Sequence, residues 1–268
     1  MPRPQVEKLE GKKQKVITEL FNICVERRDF AFHNDLVKRV SKKHKFGNPF
    51  DATKLDSLEK FPDVLLRNDY FIIHQGKGHH KFVKSISKAF HKFEPISPEN
   101  IVDKVYKKSI LNEYDTSESN MLSVGSNLKI FHEFLYGTSE VNPKIYFPRR
   151  TKTSFEYYFD DEKVVMKNIQ IEIDLTMEHN GMVAIFEGKN GLPENFAVYQ
   201  IFHPFKYFSD IKKSNKLPIR GISACYVLRF KENGNSCLRV YNYTFEDEND
   251  ICSIKLLKGA QYNLIGGK

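Results

Sequence analysis

The sequence has no long apolar run and few cysteines, and these two absences narrow the classes of protein it can encode. None of its apolar stretches approaches the roughly 18 residues of a membrane-spanning helix. The first fifteen residues also lack the apolar core of a signal peptide. We therefore expect a cytoplasmic protein with no membrane partner. The four cysteines, which are Cys24, Cys225, Cys237 and Cys252, lack the spacing of a metal site and should stay reduced.

The composition is that of an ordinary soluble globular protein, but its charge is unevenly distributed. Hydrophobic residues make up 40% and charged residues 28% of the 268 positions, which suits one large domain or two modest ones. Residues 1–93 contain 20 lysines and arginines against 11 acidic residues, a net charge of +9. Residues 94–268 contain 22 against 23. A basic module joined to a near-neutral one predicts a polyanion-binding region attached to a second activity.

A turn at Asn180-Gly181 lies between two apolar-rich segments and is the strongest local signal in the chain. Both residues tolerate the positive φ of a two-residue type I′ turn, so a β-hairpin is predicted. The turn sets the register, in which Asp174 lies opposite Glu187, and Glu172 opposite Lys189. Because alternate residues share a face of a sheet, these four side chains should converge on one patch. The opposite, buried face is expected to carry Ile171, Ile173, Leu175, Ala184 and Phe186.

Two carboxylates that face each other across a hairpin repel, and a divalent cation between them removes the repulsion. Asp174, Glu187 and the main-chain carbonyl of Gly188 make an oxygen-rich site suited to Mg²⁺, with waters completing the shell. Lys189 is then placed to orient or deprotonate a water, or to stabilise charge on a phosphate. The simpler alternative is an exposed hairpin in which Glu172 and Lys189 form a solvated salt bridge.

This arrangement of an acid, a turn and E-x-K resembles the PD-(D/E)XK nuclease superfamily, and within it the type II restriction endonucleases. Asp174 matches the acidic residue of the first motif, and Glu187 with Lys189 matches the second. One departure is visible, since no proline precedes Asp174. The other segments that look similar to such enzymes are FPRRTKTSFEYYF (147–159), QIEID (170–174) and YQIFHPFKYF (199–208).

The resemblance implies Mg²⁺-dependent hydrolysis of DNA phosphodiesters that leaves 5′-phosphates, with Mn²⁺ able to replace Mg²⁺. It implies that Asp174 and Glu187 are the metal ligands. Glu172 is expected to modulate Lys189 or to accept a second metal. Two basic residues in the first similar segment, Arg149 and Arg150, are expected to contact DNA.

Two further helices contain candidate site residues. Related nucleases often carry a glutamine on the helix after the hairpin, so Gln200 and the nearby His203 are expected to touch a water or the scissile phosphate. Equally, these two could form a satisfied pair on a helix surface. Related enzymes also carry an acidic residue on a helix before the core sheet, which here is Glu118. The spacing from Asp115 to Glu118 is explained as well by a capping box.

The basic first third has the pattern of three helices followed by a hairpin, which resembles a winged helix-turn-helix domain. Helices are predicted over 13–28, from Asn34, and from Asp51 to Phe61, with a hairpin over 70–83. The third helix of such a domain commonly enters the major groove, and the wing contacts phosphates or the minor groove. The alternative is a small helical module for protein contacts or dimerisation. The predicted DNA contacts are Thr53, Lys54, Asp56 and Ser57 on the third helix, Lys77, His79, His80 and Lys81 on the wing, and Lys42, Lys43 and Lys45 beside the helices.

The sequence therefore predicts an α/β protein with a mainly α winged-helix domain (1–93), a connector (94–112) and a restriction-endonuclease-like core (113–268). That core is expected to be a mixed β-sheet flanked by helices. The predicted function is Mg²⁺-dependent, sequence-specific cleavage of double-stranded DNA in a prokaryotic cytoplasm. Because cutting both strands requires two active sites, a homodimer is expected. A restriction role also implies a partner DNA methyltransferase of the same specificity.

Two other classes of function remain open at the level of sequence. One is a repair, recombination or mobile-element nuclease with the same catalytic hairpin and a preference for particular DNA structures. The other is a non-catalytic winged-helix regulator whose nuclease domain has lost its activity. The presence of Asp174, Glu187 and Lys189 together argues against that loss.

Overall fold

The computed structural model describes residues 11–107, 109–110 and 117–266, and it divides into two compact units. The first unit contains the described residues up to His91 together with the short segment Met166–Ile169. The second contains the described residues from Lys92 to Val165 and from Gln170 onward. The division along the chain thus falls close to residue 93, where the sequence predicts the end of the first domain.

The first unit is built from short helices and one small antiparallel sheet. Its described helices are α1 (Lys12–Arg27), α2 (Asn34–Lys43), α3 (Asp63–Asn68) and α4 (Ile86–Ala89), and a 3₁₀ turn spans Leu58–Lys60. Its strands are β1 (Ala31–His33), β2 (Tyr70–Gly76) and β3 (His79–Lys84), which pair in the order β1-β3-β2. Strand β4 (Phe90–Lys92) follows. The predicted first helix and the predicted hairpin are confirmed, and Val16, Leu20 and Cys24 are buried at helical spacing.

The third helix of this unit lies later in the chain than the sequence pattern predicts. The pattern places it from Asp51 to Phe61, whereas α3 begins at Asp63 and the earlier segment forms turns. Pro62 is the N-cap of α3, and the residue before a proline is disfavoured in the helical conformation. Phe61 is extended, with φ −73° and ψ 139°. Leu55 and Phe61 are still buried, so the pattern identified inward-facing residues but not their conformation.

The second unit is centred on a seven-stranded mixed sheet. The strands of the unit, seven of which form this sheet, are β5 (Ile101–Tyr106), β6 (Lys144–Tyr146), β7 (Arg149–Phe159), β8 (Glu162–Ile173), β9 (Leu175–His179), β10 (Met182–Asn190), β11 (Asn195–Ala197), β12 (Gly221–Glu232), β13 (Asn235–Phe245) and β14 (Ile254–Gly266). Its described helices are α5 (Glu118–Asn127), α6 (Ile130–Tyr136) and α7 (Tyr199–Lys213), and 3₁₀ turns span Pro98–Asn100 and Ile251–Ser253.

The strand order explains how distant parts of the chain meet in this unit. The large sheet has the order β5-β14-β13-β12-β10-β9-β6, and β7 and β8 form a separate two-stranded ribbon. Strands β9 and β10 are antiparallel, whereas β10 and β12 run parallel and are connected through α7. A parallel pair needs such a long crossover, which is usually a helix. The fold class is therefore mixed α/β, as the sequence predicts.

Helices α5 and α6 pack against this sheet through a buried apolar cluster. The cluster joins Met121, Leu122 and Phe131 of the helices to Leu175 and Phe186 of the hairpin. The rings of Phe131 and Phe186 lie 4.6 Å apart between centroids. The predicted burial is confirmed, since all five residues are at most 3% exposed; they are Ile171, Ile173, Leu175, Ala184 and Phe186. The predicted common face is wrong, because Ile171 and Ile173 lie on β8 in a separate ribbon and only the other three belong to this cluster.

Two segments before the hairpin differ from the prediction. The expected connector (94–112) contains β5, which pairs in parallel with β14 at one edge of the sheet. The predicted helix start at Asp115 lies outside the described residues, and α5 has Ser117 as its N-cap. The predicted apolar helix is divided into α5 and α6, because Lys129 between them has a left-handed φ of 62°. No helix in the described part of the chain is long and apolar enough to cross a membrane.

Candidate functional site

The predicted hairpin register is confirmed up to the point where the acidic residues begin. Strands β9 and β10 pair around Asn180-Gly181, and Leu175 opposite Phe186 is the last pair of the ladder. The two turn residues have φ values of 50° and 78°, the left-handed conformation that a type I′ turn requires. Asp174 and Glu187 therefore lie directly beyond the last pair, Asp174 immediately before β9 and Glu187 within β10.

The predicted pairing of Glu172 with Lys189 is wrong, because the chain bends at Asp174. Strand β8 ends at Ile173 and pairs with β7 in the ribbon, while β9 joins the seven-stranded sheet. The Glu172 carboxylate is instead held by Arg150 on β7, whose Nε and Nη2 lie 3.0 and 2.9 Å from Oε1. A register counted from the turn fails once the strand leaves the sheet.

The backbone of β10 brings the two central carboxylates together. The amide N–H of Gly188 donates a hydrogen bond of 3.1 Å to Oδ2 of Asp174, so this carboxylate lies against the residue after Glu187. An added Cβ on Gly188 would lie 2.6 Å from Cε of Met121 on α5. Glycine at this position therefore allows α5 to approach β10 closely. The use of the Gly188 carbonyl as a metal ligand stays a prediction.

Glu187 receives a hydrogen bond from the first turn of α7. Gln200 donates from Nε2 to Oε1 of Glu187 at 2.8 Å. The hydroxyl of Tyr226 on β12 in turn donates to Oε1 of Gln200 at 3.4 Å. Helix α7 begins at Tyr199, and its first turn brings Gln200 to the candidate site.

Lys189 lies beside the acidic residue at the start of α5. Its Nζ is 3.4 Å from Oε1 of Glu118, and the two side chains are 41% and 43% exposed. The N-cap of α5 is Ser117, whose hydroxyl accepts a hydrogen bond of 3.1 Å from the amide of Asn120. Capping is thus explained without Glu118. Glu118, the acidic residue predicted on a helix before the core sheet, is therefore adjacent to strand β10 of the hairpin.

Burial and mutual repulsion raise the pKa of both central carboxylates. Burial is the main cause of the raised pKa of Asp174, and the negative charges of Glu118 and Glu172 add to it. Burial also raises the pKa of Glu187 well above its ordinary value, and the charge of Asp174 is the next cause. The ammonium of Lys189 opposes both shifts only in part. Because the two acids are difficult to ionise together, a cation bound between them would stabilise the form in which both are ionised.

The donor set of these residues fits a hard divalent cation. Each hydrogen bond described above uses one oxygen of its carboxylate, so Asp174 and Glu187 keep acceptor capacity for a cation. Among the described residues, no group of three or more His, Cys, Asp or Glu side chains is arranged to hold a metal ion. A cation here would therefore take water and main-chain oxygen as its other ligands, as Mg²⁺ commonly does.

The other predicted residues of the second unit lie on the ribbon or among aromatic rings. The ring centroid of His203 is 5.4 Å from that of Phe155, within a cluster of aromatic side chains on α7 and β7. Arg149 donates from Nη2 to the hydroxyl of Tyr207 at 3.2 Å. Arg149 and Arg150 are both exposed on the ribbon, so their predicted contact with DNA is sterically possible.

Two of the predicted DNA-contacting residues in the first unit are buried, and these predictions are wrong. Thr53 is 2% exposed, and its carbonyl lies 3.1 Å from Nε2 of His74. His80 is 6% exposed, with its ring nitrogens 2.9 Å from Nδ1 of His74 and 2.7 Å from Oδ1 of Asn34. Burial lowers the pKa of His80 to about 3, so this imidazole is neutral near pH 7 and supplies no charge to a phosphate.

The remaining predicted contacts of the first unit lie at its surface. Because Lys54, Asp56 and Ser57 precede α3, their predicted position on the third helix is wrong. Lys43 pairs with Glu19 at 2.9 Å. The exposed members of the predicted set are Lys42, Lys43, Lys45, Lys54, Lys77 and His79, and Ser57 and Lys81 are partly exposed.

Two side chains of β12 that contact the site elements carry no signal in the local sequence. Tyr226 is opposite Glu187 in the parallel ladder between β10 and β12. Arg229 donates from Nη1 to Oδ1 of Asn120 on α5 at 3.4 Å. Sequence pattern identifies this segment as a buried strand, but only the parallel pairing through α7 places its side chains beside the acids.

The second unit is thus a mixed α/β domain in which a hairpin and two helices assemble an acidic site with one lysine. A family model described as "Domain of unknown function (DUF6997)" matches residues 85–263. This range is more than half of the chain, and the chain belongs to that family. A second model, described as "Domain of unknown function (DUF6996)", matches residues 14–82. Neither a curated protein nor a solved structure matches the chain.

Proposed function

We propose that the second unit is a Mg²⁺-dependent nuclease of the PD-(D/E)XK type that hydrolyses DNA phosphodiesters. The observation that carries the proposal is the hydrogen bond from the Gly188 amide to Asp174, which sets the first acid against the Glu187-x-Lys189 strand. The raised pKa of both acids supports a site completed by a cation. A lysine beside such acids suits chemistry on a phosphate better than a purely structural pair.

In this proposal, the side chains of the site have separate roles. Asp174 and Glu187 hold the cation, and Gln200 orients one oxygen of Glu187. Bound Mg²⁺ would supply the positive charge that stabilises a phosphate during in-line attack by water. Lys189 holds the attacking water or stabilises the negative charge that develops on the phosphate. Glu118 restrains the Lys189 ammonium at 3.4 Å.

We propose further that the first unit is a winged helix-turn-helix module that binds DNA. Its order of helix, strand, two helices and two strands supports this proposal, as does the sheet order β1-β3-β2. The net charge of +9 over residues 1–93 suits a polyanion. In such a module the third helix enters the major groove. Arg67 on α3, with a side chain 70% exposed, therefore replaces the buried Thr53 as the candidate for a base contact.

For the whole chain we propose a type II restriction endonuclease that cuts both strands of a specific duplex sequence and leaves 5′-phosphates. Two-fold symmetric association would present one site to each strand, so the proposal includes a homodimer. It also includes a DNA methyltransferase of the same specificity that protects the host DNA. A repair or mobile-element nuclease would use the same hairpin and differ in its preferred DNA.

Digestion of unmethylated phage DNA with the purified protein and Mg²⁺ tests this proposal. We expect discrete fragments, the same set of fragments when Mn²⁺ replaces Mg²⁺, and no cleavage by Asp174→Ala. Asp161→Ala is the matched control, because Asp161 is an exposed acid in the turn of the ribbon. Cutting confined to branches or ends would support the repair nuclease. Cleavage by Asp174→Ala at the normal rate, or no metal-dependent cleavage of any DNA, would overturn the nuclease assignment.

A further inference from the structure

A chain of two hydrogen bonds connects the buried surface of β12 to one of the central acids. Glu187 Oε1 accepts a hydrogen bond from Nε2 of Gln200 at 2.8 Å, and Oε1 of Gln200 accepts one from the Tyr226 hydroxyl at 3.4 Å. Tyr226 is also the residue opposite Glu187 in the parallel ladder. The phenol is thus connected to the carboxylate through an amide of α7, and the two residues are backbone neighbours in the sheet.

The amide of Gln200 can turn either of its two ends toward Glu187, and the two ends have opposite chemical effects. The NH₂ end donates to a carboxylate oxygen of Glu187 and holds it in place, as it does here at 2.8 Å, whereas the carbonyl end has no hydrogen to donate. Whatever determines the orientation of this amide therefore influences where the oxygens of Glu187 lie.

The Tyr226 hydroxyl favours one of these two orientations. A tyrosine hydroxyl can donate and accept, and here it donates to the carbonyl oxygen of Gln200 at 3.4 Å. The NH₂ end is then directed at Glu187, to which it donates at 2.8 Å.

The position of this hydroxyl is fixed by packing. Tyr226 is 2% exposed, and its ring centroid lies 4.6 Å from that of Phe196 and 5.2 Å from that of Phe93. Residues in such a buried cluster hold one rotamer. The hydroxyl therefore stays at one place relative to β10 and α7.

We infer that Tyr226 is a positioning residue, which acts on Glu187 through the amide of Gln200 and favours a divalent cation at the proposed site. The inference rests on the proposed function, since it names a further residue of the same site. The charged groups that face Glu187 are Asp174, Glu118, Glu172 and Lys189. Tyr226 and Gln200 add no charge to this set, and their effect is one of orientation.

Titration of the purified full chain with Mn²⁺ by calorimetry near neutral pH tests the inference. We expect Tyr226→Phe to weaken Mn²⁺ binding about five-fold, the value of one net hydrogen bond. Tyr241→Phe is the matched control, because this buried tyrosine on β13 is opposite Tyr226 and donates its hydroxyl to the carbonyl of Glu94 at 3.1 Å. Tyr241→Phe should leave the Mn²⁺ affinity unchanged.

A second variant separates positioning from a general loss of packing. Gln200→Met removes both ends of the amide, and in its presence Tyr226→Phe should have no further effect on Mn²⁺ affinity. In spectra of protein labelled with ¹⁵N-glutamine, the side-chain amide signals that disappear in Gln200→Met should shift in Tyr226→Phe and stay in place in Tyr241→Phe. This measurement needs no metal.

The outcomes distinguish the two proposals. If Asp174→Ala abolishes Mn²⁺ binding but Tyr226→Phe binds as wild type does, the positioning role is overturned and the metal site stands. Additive effects of Tyr226→Phe and Gln200→Met, or unshifted amide signals, overturn the positioning role in the same way. If the wild type does not bind Mn²⁺, or if Asp174→Ala binds it equally well, the proposed function fails and the inference fails with it.

Discussion

The ammonium nitrogen of Lys189 lies 3.4 Å from a carboxylate oxygen of Glu118. The contact joins the end of β10 to the first turn of α5, and it places a third acid near Asp174 and Glu187. Because both side chains are about two-fifths exposed, the attraction is screened by solvent and contributes little to stability. Its importance is electrostatic, since the charge of Glu118 raises the pKa of both central acids.

Replacing Glu118 should therefore change the pH dependence of cation binding. Glu118→Gln removes a negative charge that disfavours ionisation of Asp174 and Glu187, so their pKa values should fall. We expect the pH midpoint of Mn²⁺ binding, measured by calorimetry across a pH series, to move to lower pH. Glu133→Gln is the control, because Glu133 pairs with Lys104 at 2.5 Å and is not among the charges that raise the pKa of Asp174 or Glu187. An unchanged or higher midpoint in Glu118→Gln would contradict the expectation.

Glu187 should cost stability at neutral pH when no cation is bound. Its pKa is raised above its ordinary value of 4.5, so the folded protein holds a proton that the unfolded chain releases. Stability from this group is complete below pH 4.5 and is lost as the pH rises through the folded pKa. Glu187→Gln should therefore melt at a higher temperature than wild type at about pH 8, by roughly 2–4 °C per kcal/mol recovered.

The gain in Glu187→Gln should disappear as the pH approaches 4.5, and Mg²⁺ should raise the melting temperature of wild type more than that of the variant. Differential scanning fluorimetry over a pH series, with and without Mg²⁺, measures both effects. A variant that is less stable than wild type at about pH 8, in the absence of Mg²⁺, would show that the ionised carboxylate is not a burden on the fold.

Gly188→Ala should destabilise the second unit, because the new Cβ would lie 2.6 Å from Cε of Met121 and 3.4 Å from Cγ of Leu122. Both neighbours are buried, at 0% and 1% exposure, so the terminal methyl of Met121 must move within a packed cluster. Overpacking of this kind costs about 1–3 kcal/mol. Chemical denaturation should show this loss and no comparable loss in Gly47→Ala, where an added Cβ meets nothing within 4 Å. Equal stability of the two variants would show that the Met121 side chain moves aside without cost.

Arg150 should contribute to DNA binding once it leaves Glu172. The pair is exposed, with side chains 67% and 48% accessible, so a DNA phosphate can compete for the guanidinium. Arg150→Ala should lower the slope of log affinity against log salt by about 0.9, the value of one phosphate contact. Glu172→Gln should raise the affinity at low salt.

Fluorescence anisotropy with a labelled duplex, in buffer without divalent cation, measures these slopes. Lys163→Ala is the control, because Lys163 is an exposed cation paired with Glu156 at 2.5 Å near the turn of the same ribbon. If Lys163→Ala and Arg150→Ala lower the slope equally, the effect belongs to the net charge and not to the open end of the ribbon.

The hydrogen-bonded pair of His74 and the buried His80 should make the first unit sensitive to acid. Burial lowers the pKa of His74 to about 4 and of His80 to about 3. Below their ordinary value of 6.5 the unfolded chain takes up protons that the folded unit does not. Stability is therefore complete above pH 6.5 and falls progressively toward pH 4.

His80→Phe should reduce this acid-dependent loss, because one of the two titrating groups is removed. The variant should also be less stable at neutral pH by about 1–3 kcal/mol, since the partners of His80 lose their hydrogen bonds. Circular dichroism during thermal unfolding at a series of pH values measures both effects. The exposed neighbour His79 provides the control, and His79→Phe should lose as much stability at low pH as wild type does.

Local features of the fold could be predicted from the sequence because local chemistry determines them. The register of β9 and β10 follows from the two residues Asn180-Gly181, whose backbone preference is independent of the rest of the chain. The buried spacing of α1 and the hairpin β2–β3 follow in the same way from periodicity and turn residues. Prediction failed for the third helix, because the burial of Leu55 and Phe61 is compatible with turns as well as with a helix.

The tertiary structure alone decided which side chains surround the acids. Because the chain bends at Asp174, β8 pairs with β7 in a ribbon and Glu172 forms hydrogen bonds with Arg150. The alternating pattern of the sequence continues through the bend and does not reveal it. Tyr226 reaches Gln200 only because β12 pairs in parallel with β10 after the α7 crossover. The conformation of a turn depends on a few neighbouring residues, so it can be predicted from the sequence. Pairing between distant strands depends on the burial of whole surfaces, and no short segment encodes it.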